Sequence, residues 1–304
     1  MKPARSILSV PGHQTKMHIK ASQSEADAVM LDLEDSVPLD SKDDARKIII
    51  DSLRSLNWST KKRVVRINSV DTHLAYQDII AIVQHAGHCI DGIVVPKVNN
   101  PGDIHFVSRL LDGVEQHFHL DHEIAIEASI ETATGLNQVS EIAMASHRLS
   151  SLVFGVADYS ASVGARLVSI SGHGENEESI YPGHRWHFCL SKMVMAAKAN
   201  GLTAVDAPYG YFQDVEGLNS QSKMAAALGC DAKWAIHPMQ ISVINAVFSP
   251  SKEDIDRAQQ IMNAANQALH QKKGAISLDG RMIDGATVRL AEQTFVRATQ
   301  FGLL

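Results

Sequence analysis

Short runs of branched and long apolar residues recur along most of the chain, each followed by a stretch whose apolar residues return at helical spacing. The runs are "RSILSVPG" (5–12), "AVMLDLED" (28–35), "RVVRINS" (63–69), "GIVVPKV" (92–98), "EIAIEASIET" (123–132), "SLVFGVADYS" (151–160), "TAVDAPYG" (203–210) and "AKWAIHP" (232–238). Between them lie helix-like stretches such as "SKDDARKIIIDSLRSL", "GDIHFVSRLLDGVEQ", "TGLNQVSEIAMAS" and "LSKMVMAAKANG". A strand-then-helix unit repeated about eight times in about 240 residues has the count and size of a (β/α)8 TIM barrel. A doubly wound open sheet uses the same alternation, but the G-x-G-x-x-G turn expected after its first strand is missing. No low-complexity or Pro/Gly-rich linker interrupts the units, so residues 1–250 read as one barrel domain.

Residues 251–304 do not continue the repeat and read as a C-terminal helical extension. After the eighth strand "QISVINAVF" (240–248) and then "SKEDIDRAQQIMNAANQALHQKK" have helical spacing, and "GAISLDGRMIDGATVRLAEQTFVRATQ" begins as a short strand or turn and ends as a helix. Gly274, Gly280 and Gly285 give this piece points of pivot. The pattern leaves two arrangements open: a lid or arm reaching a neighbouring subunit, or a helix packed under its own barrel.

Composition narrows the partners. With 304 residues, 45% hydrophobic and 20% charged, the chain can bury a large core. A net charge of -6 without a Lys/Arg cluster argues against nucleic acid and against an anionic membrane surface. Cys89, Cys189 and Cys230 are widely spaced with no CxxC pair, as expected of free thiols in a reducing cytoplasm. The opening "MKPARSILSVPGH" has too short an apolar run for a signal peptide, and no run approaches a membrane span.

The chemistry gathers where the strands finish. Those ends read VPGH, LED, RIN, PKV, IET, GVAD, APYG and IHP, and Arg66, Lys97, Glu131 and Asp158 are charges set late in apolar runs. Strand parity puts Met30, Asp32 and Glu34 on one face and Leu31 and Leu33 on the other. Likewise Arg66 shares a face with Asn68, and Glu127, Ser129 and Glu131 oppose Ile124, Ile126, Ala128 and Ile130. If the apolar set meets the helices, Glu131 points into the barrel mouth and Asp158 arrives one strand later. Two carboxylates there, backed by outer acids, suit Mg²⁺, a hard cation that keeps several waters. Zinc suits the sequence less, because none of the 15 histidines forms an H-x-x-x-H or H-E-x-x-H pair. On the residues alone, a structural ion-pair network with Arg66 remains the alternative, as does a merely wet edge strand for Asp32 and Glu34.

In order, "RSILSVPG", "DAVMLDLEDSVPLDSKDDAR", "VRINS", "VVPKV", "SIETATGL", "VFGVADYSASVGA", "AVDAPYGYFQDVEGL", "LGCDAKWAIHPMQI" and "GRMIDGATVRLAEQT" resemble the successive blocks of citrate lyase β-subunit-like enzymes of the HpcH/HpaI aldolase superfamily. That group includes malyl-CoA, β-methylmalyl-CoA and citramalyl-CoA lyases, so the resemblance implies a carbon–carbon lyase acting on an acyl-CoA. It implies Mg²⁺, with Mn²⁺ as a substitute, on Glu131 and Asp158, and Arg66 beside it holding substrate oxygens. Asp32 and Glu34 match acids behind the metal, and Asp284 in GRMID matches an acid/base supplied by the C-terminal segment of a neighbouring subunit. Lys16 and the Ile236-His237-Pro238 turn match regions that line the coenzyme A site. A homotrimer or dimer of trimers is the implied assembly.

The implied reaction is reversible retro-Claisen cleavage of a 3-hydroxy-3-carboxy acyl-CoA, such as citramalyl-CoA or malyl-CoA, to acetyl-CoA plus pyruvate or glyoxylate. One stretch departs from the citrate lyase β subunits: the polar insertion over 171–187 within "RLVSISGHGENEESIYPGHRWHFCLSKMV" looks closer to stand-alone acyl-CoA lyases. There His184, Arg185, Trp186 and His187 read either as a polar helix start with a packed indole or as an acyl-CoA contact. Two other activities stay open: a malyl-CoA-type thioesterase or synthase on the same site, and a citrate lyase β subunit cleaving a citryl thioester to oxaloacetate. A non-catalytic, complex-bound subunit is the third class.

Overall fold

The computed structural model describes residues 3–166, 184–270, 276–278 and 280–304. Eight parallel strands close in chain order: β1 Ser6–Pro11, β2 Ala28–Asp32, β3 Lys62–Arg66, β4 Gly92–Val95, β5 Ala125–Ile130, β6 Leu149–Phe154, β7 Thr203–Asp206 and β8 Ala232–Ala235. β1 pairs with β8, Ile7 opposite Trp234, which closes the ring and rules out the open sheet. The fold is the (β/α)8 barrel that the alternation predicts. Parallel strands covered on both faces must be apolar on both, which is why these runs read as continuous hydrophobic stretches.

Inward-facing Ile7, Met30, Val64, Val94, Val153, Val205 and Trp234 form a single buried cluster in the lumen. The outer helices follow from local sequence. The helix Pro101–Phe118 begins with a capping box between Asn100 and Asp103 and Pro at its first position, and buries Ile104, Val107, Leu111 and Val114 at helical spacing.

The strands are shorter than the runs that announce them. β2 stops at Asp32, because the Asp32 carboxylate accepts the Glu34 N–H at 2.9 Å and folds the chain into a turn. Glu34 therefore leaves the strand, and parity no longer governs it. The sixth run divides: β6 ends at Phe154 and Val156–Ser162 is helical, with Gly155 between them. "TGLNQVSEIAMAS" likewise forms two short helices, Ala133–Asn137 and Val139–Ala143.

Two buried ion pairs brace the barrel strands. Lys62 reaches across the lumen from β3 to Glu127 on β5 at 2.5 Å, and Lys233 on β8 meets Asp206 on β7 at 2.5 Å and donates to the Ala207 carbonyl at 2.6 Å. Lys233 is fully buried. Removing one partner strands the other charge away from water, so Asp206→Ala is expected to destabilise the protein by about 3–5 kcal/mol. A urea titration checks this, and an unchanged midpoint would contradict it.

The chain forms two compact units, Met1–Asn245 and Ala246–Leu304. In the second, the helices Lys252–His270 and Gly285–Gln300 pack on each other, and β9 Ile276–Leu278 and β10 Arg281–Ile283 form an antiparallel hairpin. Gly280, between these strands, has φ +74°, a conformation that favours glycine. The predicted pivot Gly274 and residues 171–183 of the polar insertion lie outside the described residues. Among the described residues no helix is long and apolar enough to cross a membrane.

Candidate active site

The C-terminal ends of β2 to β6 bring five carboxylates and two cations to one place. Asp32 and Arg66 end β2 and β3 and are partners in register, so their side chains leave the sheet together. Arg66 grips Asp32 with a parallel fork, Nε to Oδ1 at 2.6 Å and Nη2 to Oδ2 at 2.7 Å. Its third nitrogen, Nη1, is 3.1 Å from Glu34 Oε2, and the guanidinium carbon lies 5.8 Å from the centre of the Trp234 ring. Burial by itself would raise the Asp32 carboxyl pKa, but the hydrogen bonds and charge of Arg66 outweigh it and hold the group below its ordinary value. Glu34 is raised: burial there exceeds the opposing pull of Arg66 and Lys97.

Lys97, just past β4, takes a left-handed backbone with φ +50°. Its N–H donates to Glu131 Oε1 at 2.7 Å, and its ammonium hydrogen-bonds Glu34, contacts Asp35 at 3.0 Å and lies 3.7 Å from Asp158 Oδ1. Glu131, one residue beyond β5, is almost wholly buried, whereas Asp158, in the first turn of Val156–Ser162, is 37% exposed at its side chain. Glu131 can sit there only because residue 155 is glycine: a Cβ at Gly155 would come within 2.1 Å of Glu131 Oε2.

Burial, joined by the charges of Glu34 and Asp158 and opposed by Arg66, pushes Glu131 up to about 7. A carboxyl with a folded pKa above its unfolded one contributes stability that is present at low pH and lost as pH rises through about 7. In chelator, Glu131→Gln, which is neutral throughout, should therefore melt higher than wild type at pH 8, with the gap closing toward pH 4.5. Parallel melting curves across that range check the sign. A carboxylate this desolvated, with one oxygen committed to an N–H, beside a second carboxylate open to solvent, is a donor set that fits a hard divalent cation.

The other expected residues are placed as follows. Lys16 is exposed in the first turn of Thr15–Ser22, after β1, and Ile236, His237 and Pro238 follow β8, the neighbour of β1. His237 stacks on Phe212 with ring centres 4.6 Å apart and accepts the Met239 N–H at Nδ1. Asp284 belongs to the second unit, where it caps Gly285–Gln300. It accepts the N–H and hydroxyl of Thr287, which hold its carboxyl below the usual range. Trp186 is buried edge-on against Tyr159 with Arg185 over its ring, the packed-indole arrangement.

Lys97 stood in the sequence only as a late charge with no role attached, and Gly155 and Trp234 carried none. The signal available for Lys97 was a lysine ending the strand between those that end in RIN and IET. Among the described residues, one group of histidines and an acid has ligand spacing: ligand atoms of His88, Asp121 and His122 lie within 4.8 Å of one another. That exposed trio precedes β4 and β5, at the barrel end opposite the carboxylates.

The family description HpcH/HpaI aldolase/citrate lyase matches residues 5–238. The L-malyl-CoA/beta-methylmalyl-CoA lyase of Cereibacter sphaeroides ATCC 17025 is 37% identical over 296 residues, covering 96% of this chain and 93% of the relative. The (3S)-malyl-CoA thioesterase of Cereibacter sphaeroides ATCC 17023 is 32% identical, covering 97% and 95%. Among solved structures, the protein CitE of Mycobacterium tuberculosis in complex with magnesium, acetoacetate and coenzyme A superposes with a TM-score of 0.77 at 27% identity, covering 98% of each chain.

Proposed function

The chain belongs to the HpcH/HpaI aldolase/citrate lyase family of carbon–carbon lyases, and from that premise we propose that it is a Mg²⁺-dependent acyl-CoA lyase. Its substrate is a 3-hydroxy-3-carboxy acyl-CoA such as malyl-CoA or citramalyl-CoA, cleaved reversibly to acetyl-CoA and glyoxylate or pyruvate. The observation that carries this reading is the convergence of Glu131, Asp158 and Arg66 at the barrel mouth, in a chain 37% identical to an L-malyl-CoA/beta-methylmalyl-CoA lyase. The magnesium in the CitE structure supports the same choice of ion.

Glu131 and Asp158 are the residues that would hold the cation. Bound there, Mg²⁺ supplies a Lewis acid for the C3 oxygen and the adjacent carboxylate of the substrate. Arg66 is locked by Asp32 and Glu34, so it offers a fixed positive charge for the thioester oxygen as the enolate of acetyl-CoA forms. Cleavage moves the C3 hydroxyl proton off oxygen, breaks the C2–C3 bond and returns a proton to C2. In the condensing direction a carboxylate must take that proton from the methyl group, the role assigned to Asp284 from a neighbouring copy. Lys16 and the 236–238 turn, which follow the neighbouring strands β1 and β8, are assigned to coenzyme A.

Arg66→Lys keeps the charge and loses the planar fork. It is expected to lower kcat/KM by at least about tenfold, the scale of one charge-assisted contact. Steady-state kinetics decide, and an unchanged value would make Arg66 purely structural.

The test of the function is incubation with Mg²⁺, acetyl-CoA and either glyoxylate or pyruvate, followed by mass spectrometry. An acyl-CoA adduct is expected, and its absence with both acids would sink the reading. The thioesterase relative favours a second reading, in which the malyl-type thioester is hydrolysed. Free CoA thiol accumulating with the hydroxy acid would select it.

A further inference from the structure

Lys97 departs from what a strand-end residue needs. Only a few non-glycine residues adopt φ near +50°, and an observed outlier of this kind points to a side chain retained for a purpose. From that backbone the ammonium reaches Glu34, Asp35 and, at 3.7 Å, Asp158, while the N–H fixes Glu131 Oε1 at 2.7 Å. The residue thus touches both proposed metal-holding carboxylates and two acids beside them, Glu34 and Asp35. Arg66 is already committed to Asp32 and Glu34. Lys97 pairs directly with Asp35 and with the Glu34 oxygen that Arg66 leaves.

We propose that Lys97 is a positioning residue that keeps Glu34 and Asp35 off the divalent ion, leaving the ion to Glu131 and Asp158 and its other positions to substrate oxygens. This rests on the metal reading above. The physical reason is a trade. An ammonium beside the ion repels it and weakens binding, yet freed outer carboxylates would crowd a small octahedral cation that the substrate must chelate. Removing the ammonium should therefore tighten metal binding and slow turnover, whereas a residue that merely held the loop together would weaken both when lost.

Binding of Mn²⁺ to the chelator-stripped full chain, followed by electron paramagnetic resonance, reads affinity without turnover, and kcat is measured in parallel. Lys97→Met should bind Mn²⁺ at least about tenfold more tightly, as expected when a like charge leaves the site, while kcat falls at least about tenfold. Lys97→Arg, which keeps the charge, should stay near wild type in affinity. Asp35→Asn works in the opposite sense: the ammonium it releases turns to Asp158, and Mn²⁺ binds at least about threefold more weakly. A folded Lys97→Met that binds Mn²⁺ as wild type does, or more weakly, overturns the proposal. Should circular dichroism show that variant unfolded, Asp35→Asn decides, and an unchanged affinity there overturns it as well. Wild type that binds no Mn²⁺ would fail the metal reading itself, a result distinct from either.

Discussion

Glu131→Gln and Asp158→Asn are each expected to cut turnover by at least about a thousandfold, because the Lewis acid they are proposed to hold would be worth several kcal/mol of transition-state stabilisation. Each replaces one oxygen donor with an amide of the same shape, so the fold should survive. For Glu131→Gln the control is built in. Burial and the neighbouring acids make the ionised carboxyl costly, so the metal-free variant should be more stable than wild type at pH 8 while catalytically dead. Loss of activity with a gain in stability separates a ligand from a core residue. Wild type in excess chelator should fall silent and recover with Mg²⁺ or Mn²⁺; full activity in chelator would remove the mechanism.

The second large effect concerns Asp284. If it serves a neighbour's barrel, Asp284→Ala and Glu131→Ala chains should each be inactive, yet mixed oligomers made by co-expression should regain activity. A site works when an Asp284→Ala barrel, with its intact Glu131, receives Asp284 from a Glu131→Ala neighbour. Random mixing in a head-to-tail ring restores about a quarter of the sites. Native mass spectrometry establishes that mixed species are present. Mixed oligomers without activity would return Asp284 to a role on its own chain. Its N-cap hydrogen bonds keep the carboxyl ionised but weaken it as a base, so the role requires a closed, drier site that raises its pKa.

The barrel was legible because its signal is local and repeated. Each strand in a (β/α)8 fold is buried on both faces and each helix on one, so apolar runs and helical spacing report position directly. The residues bearing the site chemistry were legible for a related reason: a charge late in an apolar run is improbable in a core, and Arg66, Glu131 and Asp158 stand out from their neighbours. Parity worked where strands persisted, as with Glu127, whose partner Lys62 lies across the lumen. It has no hold on Glu34 and Asp158, since side-chain capping at Asp32 and the break at Gly155 end the strands before them, yet Glu34 still joins Asp32 on Arg66.

The sequence by itself determined the strand–helix order, the barrel, the family and which strand ends carry charge, since all of these depend on residue type and spacing along one chain. Only the tertiary structure decided how those charges pair. Asp32 and Arg66 are 34 residues apart, as are Lys97 and Glu131, and Lys97 reaches Glu34 across 63. No periodicity specifies such contacts. They follow from ring closure, which stacks successive strand ends at one mouth, and from the left-handed turn at Lys97 and the bare Cα of Gly155. These let an ammonium and a buried carboxylate occupy places that spacing along the chain does not encode.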